Sequence, residues 1–444
     1  MTGETPDEEW MHILIRFAEI WLKSPPTRRK LLGLLSDNIK EATGEEPELR
    51  RTRLLLPYSK AALPGLSRVF GVASFSPARR VELDSLEQEF EKFARRHVHG
   101  RPFRVSVRRA WKGYPKNSMQ LERELGSIAD SYGPVDLENY QVNLEVELYE
   151  GHAFLFTDRM SGPGGLPYGS EGRVLALFSG GIDSPVAAWM VARRGTAVVP
   201  VFLNPLGKVL ETRVQRVFET LAPWLPGAEL RVADVSREVE QIRGRVKEGL
   251  RQTAYKRFIY RVAGELARKL GCAAVVTGEN LGQVSSQTLT SLAVIDRAVD
   301  IPVFRPLLGM DKEEISARAR EIGTFESSSA MKEFCSLESH SNANPTLGEA
   351  LAQEARLDVD AGQVTSRLGP AEPAELPDFE PPSGGEFRVV KVWKGTPKLE
   401  KGARYLFVCR LGLRAEEEAY RARQCGFEAY ALDYGTARRR NLII

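Results

Sequence analysis

Ser179-Gly180-Gly181-Ile182-Asp183-Ser184 follows directly on the apolar run Arg173-Val174-Leu175-Ala176-Leu177-Phe178. A helix-like stretch, Pro185 to Arg194, comes next. Strand, glycine turn and helix in that order can hold a polyphosphate. The glycines let the backbone approach an anion closely, and the first free N–H groups of the helix point at it. The common nucleotide loop reads Gly-x-x-x-x-Gly-Lys followed by Ser or Thr. The loop here is shorter and lacks the lysine.

Working outward, β-α units repeat on either side of the loop. Val174–Phe178, Ala197–Phe202, Glu229–Val235 and Ala273–Thr277 read as strands with helices between them. That spacing predicts a mostly parallel, doubly wound sheet. Such sheets bind ligands at the carboxyl ends of their strands. Both Ser179-Gly180-Gly181 and Gly278-Glu279-Asn280 fall at such ends.

With 444 residues the chain exceeds one core, so two to four domains are expected. Net charge is only +3, but its distribution is uneven. Arg50 to Lys116 holds 16 Lys/Arg against five acids, which predicts a polyanion-binding face. Ahead of the loop, Trp10–Phe17, Arg51–Tyr58 and Arg68–Phe75 read as strands. Ser24–Glu41 reads as a helix with Leu31, Leu34, Leu35 and Ile39 on one face. This β-α-β-β order suggests a small α+β, ferredoxin-like domain over residues 1–75. Residues 76–162 form a second segment with helices Leu83–Arg96 and Ser118–Ser131. Its strands are Phe103–Arg109, Val142–Leu148 and His152–Asp158. Arg104, Arg108, Arg109 and Lys112 lie around one of those strands and its exit.

A hinge, Gly162-Pro163-Gly164-Gly165-Leu166-Pro167-Tyr168-Gly169, leads into the nucleotide domain, residues 163–350. Residues 351–385 are rich in Pro, Gly, Ala and acids and read as a linker. Residues 386–444 carry a strand (Tyr405–Val408), a cysteine turn and a helix (Ala415–Gln424). No apolar run approaches the roughly 18 residues that span a bilayer, so no membrane partner is expected and a cytoplasmic setting fits. Four cysteines without CxxC spacing, and five histidines without an HExxH pair, predict no disulfide framework and no metal site built from cysteines.

SGGxDS resembles the PP-loop of ATP pyrophosphatases, which cleave ATP to AMP and pyrophosphate and pass the adenylyl group to a substrate. More of the chain resembles the tRNA 4-thiouridine synthetases (tRNA sulfurtransferases). The carriers are Gly164-Gly165-Leu166-Pro167-Tyr168-Gly169 before SGGIDS and Thr277-Gly278-Glu279-Asn280-Leu281-Gly282-Gln283-Val284-Ser285-Ser286-Gln287-Thr288. Arg305-Pro306-Leu307-Leu308 with Asp311-Lys312-Glu313-Glu314 adds to them. The resemblance implies an α/β multidomain chain: a ferredoxin-like domain, a THUMP domain that binds tRNA, and a PP-loop domain. It implies conversion of uridine 8 of tRNA to 4-thiouridine, with ATP and Mg2+. Ser179, Gly180, Gly181, Asp183 and Ser184 would cradle the phosphates. Further nucleotide contacts are implied at Leu177, Phe178, Phe202, Leu203, Lys256, Gly278, Gln287 and Lys312. The family has an aromatic or His-Phe pair where this chain has Phe202-Leu203.

Uracil O4 is a poor leaving group, and transfer of AMP to it makes a good one that sulfur can displace. Cys409 in Cys409-Arg410-Leu411-Gly412-Leu413-Arg414-Ala415 resembles the rhodanese loop CRxGxR. Backbone N–H groups, a helix start, Arg410 and Arg414 would surround its sulfur. The resemblance implies a persulfide on Cys409 and a second catalytic cysteine, Cys335, that resolves it as a redox disulfide. It implies a cysteine desulfurase as sulfur donor, a thiamine sulfur-carrier protein as a second acceptor, and leaves a homodimer open. Cys272 and Cys425 read as small core residues. A full rhodanese domain is about twice as long as Phe387–Ile444, so this segment is abbreviated. The alternative is another PP-loop adenylating enzyme acting on a different RNA or on a small molecule.

Overall fold

Two units make up the computed structural model, which describes residues 10–50, 52–331, 342, 344–384 and 386–443. The first unit takes in the chain up to Ser170 together with Arg193–Gly195. Its elements are β1 (His12–Phe17), α1 (Pro25–Thr43), β2 (Glu48–Arg50), β3 (Arg53–Pro57), α2 (Ala62–Leu66) and β4 (Val72–Glu82). They continue with α3 (Leu86–His97), β5 (Phe103–Arg109), α4 (Ser118–Ala129), β6 (Val142–Leu148), β7 (His152–Phe156) and β8 (Met160–Ser161). One sheet runs β2-β3-β1-β4-β7-β6-β5, with β8 on β4. Leu31, Leu35 and Ile39 of α1 are buried against Ile13, Ile15, Leu54 and Phe75, joined by Leu32 rather than Leu34. Phe90, Phe93, Leu121 and Leu125 of α3 and α4 cover Phe103, Val105, Leu144 and Val146.

The boundary expected at residues 75 and 76 falls inside β4. Its first half pairs with β1 (Ile15 opposite Phe75) and its second half with β7 (Val81 opposite Ala153). An eleven-residue strand is long enough to serve two half-sheets, so the two segments share one sheet. A buried ion cluster ties them further. Glu147 on β6 accepts from Arg16 Nε on β1 (3.1 Å) and from Arg53 Nε on β3 (3.1 Å). Tyr149 OH donates to the same carboxylate (3.2 Å), and Arg16 also donates to Ser76 Oγ (3.0 Å).

The second unit begins at β9 (Arg173–Leu177) and α5 (Asp183–Arg193). Then come β10 (Ala197–Asn204), α6 (Lys208–Leu221), β11 (Arg231–Asp234), α7 (Ser236–Arg245), α8 (Arg251–Lys269) and β12 (Ala274–Val276). Next are α9 (Leu289–Asp296), β13 (Val303–Phe304), α10 (Lys312–Glu321), α11 (Phe325–Ser329), α12 (Leu347–Glu354), α13 (Ala361–Ser366) and β14 (Gly369–Pro370). The sheet order is β13-β12-β9-β10-β11-β14, parallel except for β14. The chain builds β10 and β11 on one side of β9 and then crosses to β12 on the other. That reversal is the topological switch point where such sheets take their ligands. Helix α5 is buried nearly all round, with Val186, Ala187, Ala188, Trp189, Val191 and Ala192 covered, as a helix on a fully wound sheet must be.

The stretch expected as a linker is largely fixed. Val364 of α13 is fully buried in the sheet's core, and β14 closes the edge of β11, with Pro370 opposite Arg231. An open parallel edge leaves unpaired backbone groups, and proline is tolerated on such an edge strand. The last elements are β15 (Arg388–Lys391), β16 (Arg404–Cys409), α14 (Leu413–Gln424), β17 (Glu428–Asp433) and α15 (Tyr434–Arg439). The three strands form a parallel sheet with β16 central, so Cys409 ends its middle strand.

Burial opposes the charge of Glu147, yet Arg16 and Arg53 beside it hold its carboxyl below the usual carboxylate range. A depressed native pKa means stability that is complete above the ordinary value of 4.5 and is lost as pH falls through the native value. Glu147→Gln leaves two buried guanidinium groups against a neutral partner and should cost about 3–5 kcal/mol. Urea unfolding at pH 7 checks the loss. The gap between variant and wild type should close as the pH is lowered below 4.5.

Candidate functional site

The glycine loop leaves β9 at Leu177 and turns into α5 at Asp183. Phe178 N–H donates to Val201 O (2.8 Å), which keeps the loop's start in register with β10. Ser179 N–H donates to Ser184 Oγ (3.1 Å), and the two hydroxyls lie 3.3 Å apart. These bonds close the loop on itself. Gly180 sits at φ +77°, and a methyl there would lie 3.1 Å from Met331 Cε and 3.2 Å from Val214 Cγ2. A methyl on Gly181 would meet only Ser179 Oγ at 3.8 Å. So Gly180 is fixed by the protein itself, while the protein leaves Gly181's face open to a ligand.

Gly278 does more than end β12. A methyl there would lie 2.8 Å from both Asp183 C and Ser184 N. The strand end presses backbone to backbone on the first turn of α5. Lys312, the first residue of α10, reaches Asp183 Oδ1 at 3.0 Å. Asp311 and Glu314 form a reciprocal cap that fixes this helix start. A lysine and a carboxylate thus meet at the mouth of the loop.

Lys256 on α8 donates to Glu279 Oε1 (2.8 Å). Glu279 is only 8% exposed and also accepts from Arg305 Nε (2.9 Å), Tyr260 OH and Thr277 Oγ1 (3.3 Å). Arg305 continues to Asp296. Burial opposes the charge of Glu279. The field of Lys256, hydrogen bonds from Lys256 and Tyr260, and Arg305 together hold its carboxyl below the usual range. Sequence reasoning quoted Glu279 only as part of a motif and missed this cluster. The signal available was an acid directly after the strand-end glycine, with a basic Arg305 ending the next strand.

Three of the apolar positions expected near the nucleotide have side chains inside the protein. Phe178 packs edge-on against Phe218 of α6, with ring centroids 5.8 Å apart. Leu203 lies in the core beside Leu175 and Val201, and Phe202 is buried too. Leu177 is half-buried against the same core. What Phe178, Phe202 and Leu203 offer a ligand is therefore backbone at strand ends. Gln287 closes a turn through its backbone, and its Oε1 is buried with no hydrogen-bond partner among the described residues. Among the described residues no cluster of His, Cys, Asp or Glu could by itself hold a metal ion.

At the other cysteine loop, Cys409 Sγ accepts from Gly412 N–H (3.1 Å) and Ala415 N–H (3.3 Å). Gly412 takes φ +91°, which lets the loop fold back over the sulfur. Cys409 is 5% exposed. Arg410 is exposed, whereas Arg414 turns toward Glu240 of α7, 3.7 Å away, rather than serving the sulfur alone. Cys335 lies outside the described residues. Cys272 is buried, and burial pushes its thiol up. Cys425 is exposed, contrary to the core position expected for it, because the turn after α14 puts it on the solvent side.

On β5 the odd positions Phe103, Val105 and Val107 are buried and the even ones face out. Arg104 donates to Asn143 Oδ1 (3.2 Å) and stacks on Tyr140. Arg108 and Lys112 are exposed. Arg109 instead braces the following turn by donating to the carbonyls of Lys112 and Tyr114. No helix among the described residues is long and apolar enough to cross a membrane.

Most of the chain has known relatives. A probable tRNA sulfurtransferase from Sulfurisphaera tokodaii is 36% identical over 79% of this chain and 96% of its own length. The chain belongs to the tRNA sulfurtransferase family. A tRNA sulfurtransferase from Pyrobaculum aerophilum is 38% identical over 73% of this chain and 69% of its own. The family model described as "Thiamine biosynthesis protein (ThiI)" matches residues 169–358. The THUMP domain model matches 80–158 and the ThiI ferredoxin-like domain model 12–76. A crystal structure of a 4-thiouridine synthetase–RNA complex with bound ATP aligns with a TM-score of 0.72 and 28% identity. It covers 82% of this chain and all of that one. PH1313 from Pyrococcus horikoshii aligns with a TM-score of 0.57 at 25% identity, over 70% of this chain. The family's fold is the one described above: a ferredoxin-like and THUMP pair, and a parallel-sheet PP-loop domain.

Two predictions follow from the geometry of this family member. Gly278→Ala should push the start of α5 away from the loop, raising the KM for ATP at least tenfold with about 1–3 kcal/mol of lost stability. Steady-state kinetics and thermal melts read the two effects separately. Arg108→Ala with Lys112→Ala should weaken tRNA binding and lower the slope of log K against log salt by roughly one to two. Arg109→Ala should instead lower the melting temperature, because it removes the brace of a turn.

Proposed function

We propose that the chain is an ATP-dependent tRNA sulfurtransferase that adenylates O4 of uridine 8 and replaces that oxygen with sulfur. The observation that carries the reading is the glycine loop at the switch point of the sheet, with Gly278 against its helix and Lys312 beside Asp183. The free N–H groups at the start of α5 suit the ATP phosphates. Gly181 leaves the backbone room to approach them. Lys312 and Lys256 supply positive charge as pyrophosphate departs. Gln287 Oε1, a buried acceptor with no partner among the described residues, suits a donor on the nucleotide. Mg2+ is usually held by one or two carboxylates plus substrate phosphates, and Asp183 is the carboxylate in place for that. The ion would neutralise phosphate charge.

The chemistry runs in balanced steps. Uridine O4 attacks the α-phosphorus of ATP, and pyrophosphate leaves. The terminal sulfur of a Cys409 persulfide attacks C4, and AMP leaves with the oxygen. The product is a disulfide between C4-bound sulfur and Cys409. Cys335, as thiolate, attacks Cys409 Sγ; the C4 sulfur departs as 4-thiouridine, and a Cys335–Cys409 disulfide remains. A dithiol reductant returns two electrons and resets the pair. The Gly412 and Ala415 N–H groups suit a sulfur that carries charge through these steps. A cysteine desulfurase in the cytoplasm would load the persulfide. A sulfur-carrier protein of thiamine thiazole synthesis would be a second acceptor, in keeping with the family model's description as a thiamine biosynthesis protein.

Asp183→Ala should lower tRNA-dependent release of AMP and pyrophosphate about 100-fold, within the range seen when a group that stabilises transition-state charge is removed. Wild-type AMP yield in that variant sinks the assignment of the loop. Cys409→Ser should abolish 4-thiouridine formation with cysteine and a desulfurase as sole sulfur source, read by mass spectrometry of tRNA nucleosides. Undiminished thiolation there sinks the persulfide role.

A further inference from the structure

The sulfur loop's helix is fastened to the nucleotide domain by a buried carboxylate. Glu417 of α14 is 2% exposed. Its two oxygens accept from the first backbone N–H groups of α6: Lys208 N (3.2 Å) and Val209 N (2.8 Å). Those donors have no partner within their own helix, and they favour negative charge. Arg421, one turn on, reaches Glu417 at 3.3 Å and donates to Leu206 O at 2.9 Å. Gly207 precedes α6 at φ +155°, and a methyl there would lie 2.1 Å from Glu417 Oε1. Only glycine leaves room for the carboxylate.

A second contact lies beside it. Glu416, 4% exposed, pairs with Arg213 of α6 at 2.6 Å. The next residue, Val214, is the one that crowds Gly180 of the phosphate loop. So α6 meets the sulfur helix on one residue and the phosphate loop on the next. The chain leading to the C-terminal sheet is stitched to the same helix. Glu372 N–H donates to Glu211 (2.8 Å) and Ala374 N–H to Thr212 Oγ1 (2.9 Å).

We propose that Glu417 is a positioning residue for sulfur delivery: through the first turn of α6 it holds α14, and with it Cys409, in a fixed place on the nucleotide domain. This rests on the reading of Cys409 as the sulfur carrier. A carrier on a flexible tether meets its target at an effective concentration on the order of millimolar and spends its time searching. A carrier docked through Glu416, Glu417 and Arg421 does not search. A buried carboxylate is a poor device for stability alone, since well-packed apolar side chains of similar volume do as well or better. It is a good device for one register, because each of its oxygens must meet its own N–H group at the start of α6. Helix α6 then gives α14 a packing partner beyond its own three-stranded sheet.

The test uses the full chain with tRNA, ATP, cysteine and a cysteine desulfurase. Glu417→Ala should lower the kcat of thiolation at least tenfold. The KM values for tRNA and ATP, the tRNA-dependent burst of pyrophosphate in the first turnover and the one-sulfur mass gain on Cys409 should stay within twofold. Hydrogen exchange at the Lys208 and Val209 amides should speed up. Glu417→Gln, which keeps one acceptor oxygen, should recover part of the rate. Gly207→Ala, which enters the contact from the other side, should reproduce the defect and serves if Glu417→Ala fails to fold. Thiolation at the wild-type rate in Glu417→Ala and Gly207→Ala overturns the proposal, as does an equal fall in the first-turnover burst of pyrophosphate. Cys409→Ser run in parallel separates the two readings. If it thiolates normally, the carrier role fails and this inference with it. If it is inactive while Glu417→Ala is fully active, only the positioning role fails.

Discussion

An anion cradle built from backbone needs free N–H groups held in one place, and here a close contact between two backbones does the holding. Gly278 ends β12 against Asp183 and Ser184, where a single methyl would overlap main-chain atoms at 2.8 Å. On the other side Gly180 turns against Val214 and Met331. The loop is therefore clamped between the end of one strand and the flank of α6. Three of the polar groups proposed for the nucleotide site lie around that clamp. Asp183 begins the helix that Gly278 touches, Lys312 comes to Asp183, and Glu279 is the residue after Gly278.

Buried carboxylates recur as joints in this molecule. Glu147 joins β1, β3 and β6 of the first unit. Glu279 joins α8, the end of β12 and the end of β13. Glu417 joins α14 to α6. Each is at most 8% exposed and each accepts from two or more donors. A buried charge left unpaired is costly, so such a joint closes only when all its partners arrive. Between them these joints set the geometry of the first unit's sheet, the strand end beside the glycine loop and the place of the Cys409 loop.

Most of the nucleotide fold could be read in the chain because its signals are local. SGGIDS after an apolar run, and the repeated spacing of strands and helices, specify a parallel sheet with a ligand at strand ends. The basic run from Arg50 to Lys116 is equally local and reads as a polyanion-binding face. What stayed hidden was pairing at long range. Arg16 and Glu147 are 131 residues apart, and Lys208 and Glu417 are 209 apart. No periodicity encodes such a pair. The run of prolines after residue 366 reads as a loose linker, because the unpaired edge of β11 that it covers is not visible in one dimension.

By itself the sequence determined the chemistry available: a glycine loop with an aspartate, a strand-end glycine, lysines for phosphate charge, and one cysteine between a strand and a helix. The tertiary structure decided which of these side chains face a ligand and which serve the protein. Phe178 and Leu203 went to the core, Arg109 to a turn and Cys425 to the surface, while Glu279 was drawn into the site. The reason is physical. Local preference fixes an element and its faces, but burial, charge pairing and close backbone contact depend on what other elements bring to the same place.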